Sequence, residues 1–224
     1  LHEQRDVFAA HGSNFHHARE EAERLGRDTA FGALTQALAA YAFTTRSFEA
    51  AIQLFEKLAQ HANRNDKKRC EASAYHQQGV ALFEQRKFQQ ARKKYLRSLD
   101  IKKNMGDQHG VAKTLHELGM VAQNERNLGQ AEKYYWESLK IKENLDEQNT
   151  LANTYHQLGQ IAQAQRTFDE AEHWYRKALS VRKMLKDDNG VAQSYHELGR
   201  LAHERGDFNC AERLYKASLD IERK

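Results

Sequence analysis

The chain has 224 residues, 35 Lys and Arg against 31 Asp and Glu for a net charge of +4, no proline and two cysteines. No window approaches the about eighteen uncharged apolar residues of a membrane helix, and no basic stretch followed by an apolar run opens the chain. Cys70 and Cys210 lie far apart and make no disulfide framework, so a reducing cytoplasm is the expected compartment.

Charged residues make up 29% of the chain, and Ala, Leu, Glu, Gln, Lys and Arg, the strong helix formers, are abundant. An all-α chain follows. Residues forty apart recur as Ala51, Ala91, Ala131, Ala171 and Ala211, as Gly79, Gly119, Gly159 and Gly199, and as Tyr75, Leu115, Tyr155 and Tyr195. Such periodicity marks a repeat array, which buries its core between neighbouring units and presents a continuous surface suited to holding another molecule.

In chain order, residues 1–30 read as the second helix of a preceding, degenerate unit. Phe8 and Phe15 lie forty before Phe48 and Phe55, and Ala18, Ala22 and Leu25 continue an apolar stripe. Five units then follow, at about 31–70, 71–110, 111–150, 151–190 and 191–224. A start at Leu1 and a stop at Lys224 directly after a helical pattern suggest a fragment of a larger protein.

The fourth unit shows the plan. Leu151, Tyr155, Leu158, Ile161 and Ala162 have helical spacing, Gln165-Arg166-Thr167 breaks it, and Ala171, Tyr175, Ala178 and Val181 mark the buried stripe of a second helix. Thr167 and Glu170 have the spacing of a capping box at that second start. Gly159 and Ala171 let the two helix backbones approach, with Tyr155 and Tyr175 filling the space around the crossing. Between units, Gly106-Asp107-Gln108-His109-Gly110 and Asp187-Asp188-Asn189-Gly190 carry turn residues.

Tyr155, Leu158, Gly159, Ala171 and Tyr175, with the corresponding Tyr195, Leu198, Gly199, Ala211 and Tyr215, resemble the tetratricopeptide repeat signature. The resemblance covers residues 31–224 and implies a right-handed α-solenoid of antiparallel helix pairs whose first helices line a concave binding face. Two departures stand out: the period is forty rather than about thirty-four, and the closing proline is absent. Forty-residue versions resemble those of kinesin light chains, polarity adaptors and bacterial multidomain signalling ATPases.

If Tyr155, Leu158 and Ala162 face the core, the adjacent stripe His156, Gln160 and Gln163 should face a partner. The same choice gives Gln36, Ala40 and Phe43, then His76, Val80 and Phe83, then His116, Met120 and Gln123, and finally His196, Arg200 and His203. This lining runs from apolar to amide-rich and basic, and suits an extended peptide or interacting helix. Phe43 and Phe83 have a competing role as packing against the second helices.

The column His76, His116, His156 and His196 has three open readings: partner binding with pH sensitivity, a repeated structural hydrogen bond, or simple duplication. Histidines one repeat apart lack metal-ligand spacing, and His116-Glu117 and His196-Glu197 lack the second histidine of a zinc-protease motif, where Met120 and Arg200 stand. No phosphate loop or nucleophile elbow occurs, and Cys70 near His76 has no orienting third group.

A cluster of Arg64, Lys67, Lys68, Arg69, Arg86, Lys87, Arg92, Lys93, Lys94, Arg97, Lys102 and Lys103 offers a rival, nucleic-acid-contacting surface over residues 64–103. The expected protein is therefore a non-catalytic scaffold for a protein or peptide, without cofactor, metal or membrane contact. Self-association through uncovered repeat ends is a further expectation.

Overall fold

The computed structural model of the chain describes residues 2–146 and 148–223, with side chains from residue 12 onward apart from that of Asn149. Eleven α-helices are seen among the described residues. They are α1 (His2–Arg24), α2 (Asp28–Thr44), α3 (Phe48–Arg64), α4 (Lys68–Glu84), α5 (Phe88–Asn104), α6 (Gln108–Asn124), α7 (Leu128–Asn144), α8 (Gln148–Ala164), α9 (Phe168–Met184), α10 (Asp188–Glu204) and α11 (Phe208–Glu222). The chain is an all-α helical-repeat solenoid and divides into two compact units, residues 1–114 and 115–224.

The period of forty is two steps of twenty. Each of α2 to α10 has 17 residues, and each helix from α3 to α11 begins twenty residues after the one before it. The middle residue of every turn has positive φ: Gly26, Gly106 and Gly206, and also Arg46, Asp66, Arg86, Arg126, Asp146, Arg166 and Lys186. In the turn after α2, Thr45, Arg46 and Ser47 donate their N–H groups to the carbonyls of Tyr41, Phe43 and Ala42. Ser47 to Ala42 is the long closing bond of a Schellman motif, repeated from Thr167 to Ala162 and Asp187 to Arg182. All three turn N–H groups are used, so a proline there would delete a bond, which accounts for its absence.

Within each helix pair the core is built where the sequence places glycine. A Cβ added to Gly79 would meet the Tyr95 ring at 2.5 Å, and one on Gly159 would meet that of Tyr175 at 2.6 Å. The fully buried Tyr95, Tyr135 and Tyr175 thus lie flat on helix backbone that only glycine exposes. In residues 1–114 the main cluster joins Leu38, Ala51, Leu54, Phe55, Leu58 and Ala74. In residues 115–224 it joins Tyr135, Leu151, Tyr155, Leu158, Trp174 and Tyr175.

Two local expectations are corrected. The Thr167 hydroxyl donates back to the Ala162 carbonyl at 3.0 Å, and Glu170 Oε1 accepts from Trp174 Nε1 at 3.4 Å, so no capping box forms. The side chains of Asn127, Asp187 and Asp207 at the same turn position do cap, accepting from the N–H groups of Gln130, Gly190 and Cys210, so the difference lies in the Thr167 hydroxyl's turning back to Ala162. On α1, Ala22 is buried, but Ala18 and Leu25 are exposed and Arg19 is buried in the stripe instead. The side chain of Phe8 lies outside the described residues.

Candidate partner-binding surface

A helix in a repeat array is covered on two sides, by its own partner helix and by the next unit, so its solvent-facing stripe is narrow. On α8, Leu151, Ala152, Thr154, Tyr155, His156, Leu158, Ile161, Ala162 and Gln163 are all buried, which leaves Asn153, Gln157, Gln160 and Ala164 outward. On α10 the outward set includes Gln193, Glu197, Arg200 and Glu204, and on α4 Ser73, Gln77, Val80 and Glu84. The stripe expected from spacing is therefore rotated by one residue: its middle members Val80, Met120, Gln160 and Arg200 lie on the outward face, and of the others Gln36, Ala40, His196 and His203 are exposed.

The other predicted members fall into two groups. His76 and His156 are buried, His116 is half-buried, and His196 is exposed. At the third position, Phe43, Phe83 and His203 pack edge-on against Phe48, Phe88 and Phe208 with ring centroids 5.5, 5.5 and 5.3 Å apart. Gln123 and Gln163 instead accept hydrogen bonds from the hydroxyls of Tyr135 and Tyr175, at 2.9 and 2.8 Å. In residues 1–114, Gln36 and Ala40 are exposed on α2.

Within residues 115–224 the amides form a connected row. Gln123 Nε2 donates to Gln160 Oε1 at 3.3 Å, and Gln160 Nε2 lies 3.1 Å from His156 Nε2, which accepts. One repeat further on, Arg200 donates to Gln163 Oε1 at 3.0 Å, Gln163 Nε2 donates to Glu204 at 2.6 Å, and Arg200 also pairs with Glu197 at 2.7 Å. Gln160 is half-exposed and keeps one N–H and one acceptor lone pair beyond those contacts.

The histidine column belongs to the joints between units. Thr114 Oγ1 donates to the Gly110 carbonyl at 2.8 Å, accepts from Lys102 Nζ at 2.8 Å, and faces His76 Nδ1 at 3.4 Å. A hydroxyl has one donor and two acceptor sites, so this arrangement assigns the His76 proton to Nδ1. Thr154, Lys142 and His116 repeat it, with Lys142 Nζ 2.9 Å from Thr154 Oγ1. In the next joint Arg182 donates to Ser194 Oγ at 2.8 Å and to the Gly190 carbonyl at 3.0 Å.

Burial, then the Lys102 and Lys113 ammonium groups, push His76 down to about 3. Burial, then Lys142, push His116 down to about 3, and burial followed by Arg182 and Arg200 takes His156 to about 4. These imidazoles are neutral at ordinary pH. The same surroundings raise the Tyr135 and Tyr175 hydroxyls, burial first and carboxylates second. The sequence reading missed the cation column Lys102, Lys142 and Arg182 and the hydroxyl column Thr114, Thr154 and Ser194, although both keep the forty-residue spacing.

The basic cluster is partly consumed inside the fold. Lys102 is buried, Lys94 pairs with Glu56 at 2.5 Å, Lys87 with Glu49 at 3.4 Å and Lys68 with Glu71 at 3.3 Å. Lys94 and Arg97 also lie over the Tyr75 ring, 5.4 and 5.6 Å from its centre.

Paired helices, glycine-seated tyrosines and a polar outward stripe define a helical-repeat scaffold. The tetratricopeptide repeat model matches residues 70–144, 110–184 and 150–224, and the chain belongs to that family. Comparison with curated proteins gives no sequence match. Among solved structures, BtubC (BKLC) from P. vanneervenii is similar at 23% identity and a TM-score of 0.82, over 94% of this chain and 89% of that one. A putative kinesin light chain with nearly identical TPR-like repeats from Podosopora anserina is 17% identical with a TM-score of 0.71, over 84% of this chain and 93% of that one. The Rap conjugation gene regulator of plasmid pLS20, in complex with the Phr* peptide, is 20% identical with a TM-score of 0.64, over 87% of this chain and 53% of that one. These likenesses establish the shared fold. No helix among the described residues is long and apolar enough to cross a membrane.

Proposed function

We propose that the chain is a non-catalytic recognition scaffold that holds an extended peptide or protein segment along the outward stripe of its first helices. The observation that carries this reading is Gln160, fixed between Gln123 and His156 while one N–H and one acceptor site face solvent. An amide held in this way offers hydrogen bonds to a peptide backbone with little further loss of side-chain freedom. Asn153, Gln157 and Arg200 extend the polar surface, and Met120 adds an apolar contact. The peptide complex of a protein sharing this fold supports the same use of the scaffold.

The test is a peptide-array screen, with a nucleic-acid binding titration beside it, of the wild-type chain and the Gln160→Ala, Arg200→Ala variant at low and high salt. Ligands that survive salt and lose at least tenfold in affinity in the variant support the outward stripe. Binding confined to nucleic acid, steeply weakened by salt and equal in both proteins, would overturn the proposal in favour of the basic exterior of residues 64–103.

A further inference from the structure

The joint between α2 and α4 lacks the side chains that fill the three later joints. Where those carry Lys102, Lys142 or Arg182, this joint has Ala62, and where they carry Thr114, Thr154 or Ser194 it has Ala74. Gln36 takes the histidine position and is exposed, and Cys70 stands where the other units have Gly110, Thr150 and Gly190. Losing a long cation and a hydroxyl from one joint removes both volume and polarity. Beside Ala74 and Gln36 this joint holds an open cavity of about 840 Å³, all of it within residues 1–114.

The floor is apolar, formed by Phe43, Phe55, Leu58 and Ala74, with Ala40 on one wall. The rim is cationic. Lys67, Lys68 and Arg69 line it with Asp66 as the one acid. Lys68 is engaged by Glu71 at 3.3 Å and Asp66 at 3.7 Å, which leaves Lys67 and Arg69, both exposed, without a carboxylate partner among the described residues. Burial pushes the Cys70 thiol up and the Lys67 ammonium partly opposes it, so the Lys67 charge sits beside the wall that Cys70 forms. An apolar chamber of a few hundred to about a thousand cubic ångströms with a few polar groups at one edge has the proportions of a small-molecule site.

We propose that this cavity binds a small amphipathic monocarboxylate, with its apolar body on Phe43, Phe55 and Leu58 and its carboxylate between Lys67 and Arg69. The apolar floor matches the body and the two uncommitted cations match the head. A peptide backbone is the poorer fit, because the outward stripe of α2 supplies Ala33, Ala37 and Ala40 where residues 115–224 carry a connected amide row, and Gln36 and Gln77 are the amides left in the lining. The site is separate from Gln160 and Arg200, so its failure and that of the peptide surface are distinguishable.

Cys70, a free thiol in the cavity wall, provides the readout, and Cys210, also free, is the control in the same molecule. The full chain is treated with iodoacetamide with and without decanoate below its micelle concentration, in parallel with decanol and acetate, and rates are normalised to the ligand-free rate of each variant. Decanoate should slow Cys70 alkylation at least tenfold and leave Cys210 unchanged, while decanol protects several-fold less and acetate not at all. Ala40→Leu, at an exposed wall position that tolerates bulk, should weaken protection several-fold by intruding on the apolar body's place in the chamber. Lys67→Gln with Arg69→Gln should reduce decanoate to the level of decanol. Unchanged Cys70 reactivity, equal protection by decanol and decanoate, or equal slowing of both cysteines would each overturn the proposal.

Discussion

The Lys142 ammonium donates to the Thr154 hydroxyl at 2.9 Å across the joint between two repeat units, and both side chains are buried. Thr154→Val keeps the shape and removes the acceptor for Lys142 and for the His116 N–H. Leaving buried polar groups short of a partner costs about 1–3 kcal/mol. Urea titration should therefore show a lower midpoint for Thr154→Val at unchanged slope. A combined Lys142→Met, Thr154→Val variant should regain part of the loss, since an apolar pair needs no hydrogen bonds. A midpoint equal to wild type in the single variant would remove the joint from the account of stability.

Acid should loosen the fold through the same joints. His76, His116 and His156 are depressed to about 3, 3 and 4, whereas in the unfolded chain each titrates near 6.5. Between these values the unfolded state binds more protons, so the neutral-imidazole contribution is complete above pH 6.5 and is lost as pH falls toward 3. At pH 5 the loss is about 2 kcal/mol for each fully buried histidine. Denaturant midpoints from pH 8 to 4.5 should fall more steeply in wild type than in His116→Gln.

Gly159→Ala tests the seat of Tyr175. The new Cβ would fall 2.6 Å from the ring, so the tyrosine must move and its hydrogen bond to Gln163 must stretch. Overpacking of this kind costs about 1–3 kcal/mol, and thermal unfolding followed by circular dichroism should register it as a clear drop in Tm. Gly129, whose added Cβ would meet nothing within 4 Å, is the control position.

Arg126 occupies the left-handed region at φ 60°, in company with six other non-glycine turn residues whose φ lies between 51° and 63°. Arg126→Gly should raise stability by up to about 1 kcal/mol by relieving the Cβ clash, and Arg126→Val should lower it. The two variants shifting Tm in the same direction would contradict this reading of the turns.

How much of this was legible depends on how each residue signals its neighbours. The pairing of Gly159 with Tyr175 is visible in sequence because small and aromatic residues recur in phase at every unit. The outward stripe was misplaced by one residue because a spacing argument that starts from one core face does not register the second. His156 reads as exposed beside Tyr155, yet the next unit covers it. Lys142 and Arg182 stay hidden for another reason: a charged residue on a helix normally means solvent, and only their phase with Thr154 and Ser194 marks them as interior. The chamber near Cys70 is legible only as an absence, alanine at position 74 where later units carry a hydroxyl and glutamine at 36 where they carry histidine.

The uniform step of 17 helical residues and three turn residues limits how such a chain can change length. One residue inserted in a helix rotates everything beyond it on that helix by about 100°. An insertion into α8 would thus turn Gln160 and Ile161 away from their places together. Duplicating or deleting a forty-residue block leaves every phase intact. Growth by whole blocks is nearly silent to the fold, while the smallest indel is among its most disruptive mutations, so natural length variants should differ by multiples of forty.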